Sequence, residues 1–161
     1  MQISIRKITE QDLPDIVQML RDFAEFEDLS RYCEVSEERL HAAMFASDGF
    51  VEGLIALDGS TAIAYALFYP NFSSFRGELG LYLEDIYITA AYRRHNLGER
   101  LLREIARIAN SRGLTRIDFQ VLEWNEPAVK FYLKHGAEHN VGEYHFKFTG
   151  EAFKTLSEPP A

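Results

Sequence analysis

The stretch Tyr92-Arg93-Arg94-His95-Asn96-Leu97-Gly98-Glu99-Arg100-Leu101-Leu102 joins a strand-like run, residues 81–88, to a strongly periodic segment that begins near Gly98. A turn that aims several backbone N–H groups from the positive end of a helix dipole is a natural anion site. Arg93 and Arg94 at its entrance raise the local potential further. About 26 residues downstream comes a second marker, Trp124-Asn125-Glu126-Pro127, which opens a short helix containing Phe131-Tyr132. A phosphate-cradling turn followed by that helix suggests an enzyme that holds a phosphorylated carrier and transfers a group from it.

Charge is distributed to match. The 161 residues carry a formal charge of −8, yet residues 1–80 hold 14 acidic against 6 basic side chains while residues 81–161 hold 11 of each. Seven arginines lie between Arg93 and Arg116, against Glu99 and Glu104. A basic segment beside an acidic half suits an anionic cofactor and a cationic substrate. Glu25, Phe26, Glu27 and Asp28 form an acidic-aromatic cluster that could attract a cation through charge and its π-face. The same cluster reads equally well as a solvated helix end.

The elements that must position these groups follow from periodicity. Residues 3–8 read as a first strand, and Thr9 caps a helix with Leu13, Ile16, Val17, Leu20, Phe23 and Ala24 on one stripe. Ser36 caps a second helix carrying Leu40, Ala43 and Met44. Residues 53–69 predict two strands joined at Asp58-Gly59, and 81–88 a third. Leu97, Leu101, Leu102, Ile105, Ile108 and Ala109 stripe the next helix, with Gly113 available as its left-handed cap. Residues 115–122 alternate through Ile117, Phe119 and Val121 as another strand. A short helix from Asn125 ends before Gly136, and Tyr144, Phe146 and Phe148 alternate as a closing strand. The expected fold is mixed α/β of the α+β type: a mostly antiparallel sheet flanked by helices, in one domain spanning 1–161.

Other functions are disfavoured. One cysteine, Cys33, excludes a disulfide framework and a cysteine-rich zinc site, and no histidine-base motif accompanies it as a nucleophile. His135 and His139 are four apart, but Gly136 breaks the helix between them, so no metal is expected. The acidic balance argues against nucleic acid. No apolar run approaches the ~18 residues of a membrane span, and the N-terminus reads as a strand, not a signal peptide, so the expected address is the cytoplasm.

Residues 81–137, and less distinctly the whole chain, resemble the GNAT superfamily of acyl-CoA-dependent N-acetyltransferases. Arg93 to Gly98 occupies the positions of its acetyl-CoA pyrophosphate turn. Leu81-Tyr82-Leu83-Glu84-Asp85 and Trp124-Asn125-Glu126-Pro127, followed by Phe131-Tyr132, are similar to signature segments of the spermidine/spermine (diamine) and thialysine branch. The turn departs from the family pattern: Asn96 replaces its first glycine, and Arg94 stands where the branch often has another. Asparagine tolerates the left-handed region well, so the turn is expected to form with this side chain beside the pyrophosphate.

The resemblance implies acetyl-CoA as co-substrate and direct transfer of acetyl to a primary amine of a small cationic molecule, a polyamine, diamine or lysine-like amino acid. A peptide or protein acceptor, or a catalytically degenerate acyl-CoA-binding module, are the alternatives. An alkylammonium of pKa about 10.4 is neutral roughly once in 2,500 at pH 7, so a base is needed. Glu84 matches the branch's base acting through water, or is an ordinary strand residue. Asp85 points to the opposite face by alternation unless the strand bulges. Tyr132 matches the general acid facing the departing thiolate, although a phenol near pKa 10 is a weaker acid than a thiol near 8.5. Backbone groups of Ile86, Tyr87 and Ile88 would hold the pantetheine arm where the 81–88 and 115–122 strands splay. Arg93, Arg94, His95, Asn96, Leu97, Gly98 and Glu99 would hold the pyrophosphate. Asn125 would bond the arm, or serve only as a helix cap. Phe26-Glu27 matches the branch's aromatic-Glu pair for the substrate's distal ammonium, with Asp28 beside it and Phe75, Asp118 and Gln120 as further candidates. A homodimer is implied as well.

Overall fold

A computed structural model describes residues 2–93 and 95–159 of the chain. They form two compact units, one ending at residue 120 and the other starting at residue 121.

The first unit is built on a five-stranded sheet. Strands β1 (Ile3–Lys7), β2 (Glu52–Asp58), β3 (Thr61–Ser73) and β4 (Glu78–Ile88) are antiparallel neighbours in that order, and β5 (Ile117–Asp118) joins β4 in parallel. Gly59, at φ +62°, makes the two-residue β2–β3 hairpin that Asp58-Gly59 predicts. Helix α1 (Leu13–Phe26), helix α2 (Glu37–Phe45) and helix α3 (Leu97–Ser111) complete the unit.

Strand β3 shows why the sheet needs both layers of helices, since every residue from Ile63 to Phe68 is buried. Tyr65 and Leu67 lie in one cluster with Ile55, Tyr87, the α1 residues Leu13, Ile16, Val17 and Met19, and Leu40 of α2. Ala64, Ala66 and Phe68 alternate to the other face. Helix α3 packs on β3 and β4 with Leu97, Leu101 and Ile105 fully buried. The stripes read from the sequence are the ones that pack. Gly113, at φ +73°, ends α3 as expected, with the Leu114 N–H bonded to the Ala109 carbonyl.

The join between β1 and α1 is electrostatic. Arg6 grips Asp12 with both Nη atoms at 2.6 and 2.8 Å, and the Thr9 amide and hydroxyl donate to the same carboxylate at 2.7 and 2.8 Å. Thr9 therefore caps a 3-10 turn, Glu10–Asp12, that leads into α1.

Two expectations need correcting. Strand β5 covers only Ile117–Asp118, not 115–122, because β4 offers it two register partners, Leu81 and Tyr82, and no more. The expected closing strand through Tyr144, Phe146 and Phe148 is absent from the described residues. Alternation gives a segment one apolar face, but a strand also needs a hydrogen-bonded edge beside it, and these three side chains are exposed. The second unit instead contains α4 (Glu126–Lys134) and an unanticipated α5 (Gly150–Ser157). Among the described residues no helix is long and apolar enough to cross a membrane.

The Arg6–Asp12 grip predicts an acid-sensitive contribution to stability. The Arg6 guanidinium, with help from Thr9, holds the Asp12 carboxyl down at about 2. A depressed carboxyl stabilises the fold above its unfolded value near 3.9, and the benefit is lost as pH falls through about 2. Asp12→Asn should cost about 1–2 kcal/mol in urea unfolding at pH 7, Arg6 being half exposed. The difference should shrink toward zero near pH 2.

Candidate active site

The two edges of β4 are unequal, and the site is built on the difference. Against β3 the ladder runs from Glu78 to Ile88. Against β5 it stops after Tyr82, so no described strand pairs with residues 83–88 on that side. The Thr89 N–H bonds the Ile63 carbonyl on β3. In an antiparallel ladder residues alternate in the neighbour they address. Tyr87 therefore turns its main chain to β3, and Ile86 and Ile88 turn theirs to the open edge. Of the three residues expected to offer backbone groups to a cofactor arm, Ile86 and Ile88 face the open edge and Tyr87 does not.

A bulge interrupts β4 at its catalytic candidates. Leu67 pairs with Asp85 and Phe68 pairs with Leu83, leaving Glu84 as the extra residue. One inserted residue reverses the alternation. Below the bulge Tyr82 shares a face with Tyr69, and above it Asp85 and Tyr87 share that face with Leu67 and Tyr65. Glu84 is drawn to the same side, where its Oε2 accepts from the Tyr69 hydroxyl at 2.9 Å. The bulge thus satisfies the one condition under which Glu84 and Asp85 can serve a single cleft.

The environments of the two carboxylates differ. Glu84 is exposed and lines a mainly apolar cavity of about 460 Å³ with Leu20, Val35, Leu40, Phe50, Leu67 and Tyr69. Tyr69 is held by Tyr82, stacked at 5.3 Å, and by the edge of Phe50 at 5.8 Å. Asp85 is half-buried, and burial, followed by the charges of Glu84 and Glu27, pushes its carboxyl up to about 7. Tyr65 is fully buried on the same face, and its hydroxyl has no hydrogen-bond partner among the described residues. Tyr69 and Tyr65 carried no signal in the sequence. They emerge only from cross-strand register.

The turn after β4 keeps the expected shape. Asn96 adopts φ +56° and ψ +18° as the N-cap of α3, the left-handed conformation that its replacement of a glycine requires. The His95 ring Nδ1 lies 3.1 Å from the Arg93 carbonyl and 3.2 Å from that of Tyr92. Leu97 is buried, while Gly98 and Glu99 begin the helix, with Glu99 also paired to Arg103 at 2.8 Å. The first-turn amides of α3 have no partner within the helix and can receive an anion. Arg94 lies outside the described residues.

Arg93 has a task that its sequence neighbours do not disclose. Its guanidinium sits 4.6 Å over the Phe26 ring and 6.0 Å from that of Tyr87, and its Nε donates to the Ile88 carbonyl at 3.1 Å. It therefore docks the anion turn onto the end of α1, beside Glu27 and Asp28. One face of Phe26, expected to receive a substrate cation, already carries this arginine. Glu27 is partly buried and its carboxyl is raised by that burial, while Asp28 takes φ +56° in the turn that follows.

The weaker candidates are less free. Asp118 is held by Arg116 at 2.7–2.9 Å and by Asn71 at 2.7 Å, which neutralises it at the sheet edge. Phe75 is fully exposed in the β3–β4 turn, and Gln120 lies beyond the short β5. In the second unit Asn125 caps α4, its Oδ1 accepting from the Ala128 N–H at 3.3 Å. Tyr132 stands on the same helix with its ring edge against Phe131 at 5.1 Å.

Comparison with known proteins agrees with the fold. A family model described as "Acetyltransferase (GNAT) family" matches residues 13–137. A thialysine N-epsilon-acetyltransferase of Mus musculus is 35% identical over 164 residues, covering 95% of this chain and 96% of that protein. An L-ornithine N5-acetyltransferase of Arabidopsis thaliana is 32% identical over 102 residues, which span 63% of this chain and 45% of that protein. Among solved structures, an integron cassette protein from the mobile metagenome of V. cholerae matches with a TM-score of 0.83 at 20% identity over 99% of both chains, a likeness of fold.

The conformation of Asn96 yields a direct test of the anion turn. Asn96→Gly should keep or improve affinity for acetyl-CoA in calorimetry and change stability by no more than about 1 kcal/mol. A loss of affinity of about tenfold or more would show that the asparagine side chain itself holds the co-substrate.

Proposed function

The chain belongs to the GNAT family and is an acetyl-CoA-dependent N-acetyltransferase, and from that premise we propose that its acceptor is the primary amine of a small cationic molecule of the thialysine, ornithine or diamine kind. The match of residues 13–137 to one family model crosses the boundary at residue 120, which favours reading the whole chain as one catalytic domain. Acetyl-CoA supplies the activated acyl group. The open edge of β4 at Ile86 and Ile88 and the left-handed turn at Asn96 fit its arm and its pyrophosphate.

The observation that carries the choice of acceptor is the gathering of Glu84, Asp85 and Glu27 around the bulge in β4. Three carboxylates with an apolar cavity beside them suit a short alkyl chain bearing an ammonium group. In this reading Glu27 and Asp28 attract the distal charge. The bulge carboxylates accept the proton that the attacking amine must lose, with Glu84 acting through water. Tyr132 supports the departing thiolate by donating a hydrogen bond as sulfur gains charge.

The reading includes a homodimer. Tyr144, Phe146, Phe148, Phe153 and Leu156 are all exposed, a concentration of apolar surface that a second copy would cover. It also includes the cytoplasm as the expected compartment.

Purified protein should bind acetyl-CoA in calorimetry and acetylate thialysine, ornithine or a diamine in an amine screen. Turnover confined to peptides would point to a protein acetyltransferase, and binding without turnover to a carrier module. Tyr132→Phe should lower kcat about 10- to 100-fold while the Kd for acetyl-CoA stays within about threefold, because the ring still packs.

Light scattering at micromolar concentration tests the dimer. A mass near the monomer's 18.5 kDa would remove it.

A further inference from the structure

We propose that Asp85 is the terminal acceptor of the acceptor amine's proton, with Glu84 passing it on through water. The assignment rests on the acetyltransferase reading above and concerns the one carboxylate that strand alternation would have turned away from the cleft.

The geometry comes first. The bulge puts both carboxylates on the α1 side of the sheet, adjacent in the chain. Glu84 is the outer member, exposed, lining the cavity and oriented by the Tyr69 hydroxyl at 2.9 Å. Asp85 is the inner one, facing Glu27 from the end of α1 and Tyr65 from β3, with Cys33 among the groups that also act on Tyr65. The buried Tyr65 hydroxyl has no hydrogen-bond partner among the described residues and lies on the same face, within reach of the Asp85 charge. An exposed group that meets the amine and a half-buried group behind it make an ordered path for a proton.

Relative basicity gives the path its direction. Moving a proton from an ammonium of pKa about 10.4 to a carboxylate of ordinary acidity is unfavourable by roughly 10⁶. Burial and the two neighbouring acids raise Asp85 to about 7, which reduces that factor to roughly 10³. The proton leaves the ammonium nitrogen and reaches Asp85. The neutral amine then forms the N–C bond to the acetyl carbon as the C–S bond breaks. The second proton lost by nitrogen goes to the thiolate, and Asp85 returns its proton to solvent. The sum is amide, free thiol and one released proton.

The test compares wild type, Glu84→Gln and Asp85→Asn in the pH dependence of kcat/KM for acetylation of thialysine. Wild type should show an acid limb near pH 7. Glu84→Gln should lose about tenfold or more yet keep that limb within about one pH unit. Asp85→Asn should lose about 100-fold and show no limb near neutrality, with its Kd for acetyl-CoA unchanged. An Asp85→Asn enzyme within threefold of wild type, or one that retains the limb, overturns the assignment and leaves the acetyltransferase reading standing. Wild type inactive on every amine overturns both. Should Asp85→Asn fail to fold, carbon-13 NMR of aspartate carboxyls in the wild-type chain decides. A midpoint near 7 that falls on adding a saturating cationic amine supports the assignment, and its absence refutes it. The fold should gain, not lose: a raised carboxyl stabilises the native state at low pH and ceases to do so as pH rises through 7. Asp85→Asn should therefore melt a few degrees above wild type at pH 8, with less difference at pH 5.

Discussion

Strand β4 is asked to do two things that a regular strand cannot do together. One edge anchors it to β3 over its whole length, while the other is paired only at Leu81 and Tyr82. Above Tyr82 the main chain of Ile86 and Ile88 turns to an edge that no described strand covers. The Ile88 carbonyl there already accepts from the Arg93 Nε, and main-chain groups at such an edge are strong hydrogen-bonding partners. An extended, amide-bearing arm such as pantetheine is the sort of molecule that can complete the ladder. The ladder to β3 keeps this half-open strand rigid, and the cluster under α1 and α2 keeps β3 in place.

The bulge at Glu84 is the second consequence of that strand. By reversing the alternation it gathers two carboxylates on one side, next to Glu27 and a buried tyrosine. Burying a carboxylate and then setting like charges beside it is unfavourable to folding, and the raised Asp85 carboxyl expresses that cost. The rest of the unit offsets it by ordinary means: the Ile63–Phe68 core, the buried stripe of α3 and the Arg6–Asp12 grip at the start of α1. Perturbed acids gathered beside a cavity are characteristic of sites that handle protons.

Arg93 ties the anion turn to the acidic loop. From the sequence it belongs to the turn alone, sixty-odd positions away from Phe26. In the structure its guanidinium lies over Phe26 and reaches back to the Ile88 carbonyl. The turn that precedes α3 and the end of α1 are thereby tied together. A cation already rests on the Phe26 ring, so one face of that ring is occupied.

The residues by themselves determined the local parts, because those depend on side-chain type and near neighbours. The stripes of α1 and α3, the Gly59 hairpin, the Ser36 and Asn125 caps and the left-handed Asn96 were all legible, since each is decided within about one turn of chain. Tertiary structure decided whatever needed two distant segments in register. Alternation through Tyr144, Phe146 and Phe148 could not say whether an edge would receive them, and alternation through 115–122 could not say where β4 would release its neighbour. The placement of Asp85 is the clearest case. Its face depends on one extra residue opposite the Leu67–Phe68 step of another strand, and a bulge exists only between two paired chains. Sequence could state the condition under which Glu84 and Asp85 share a cleft, and only the pairing of β3 with β4 could meet it.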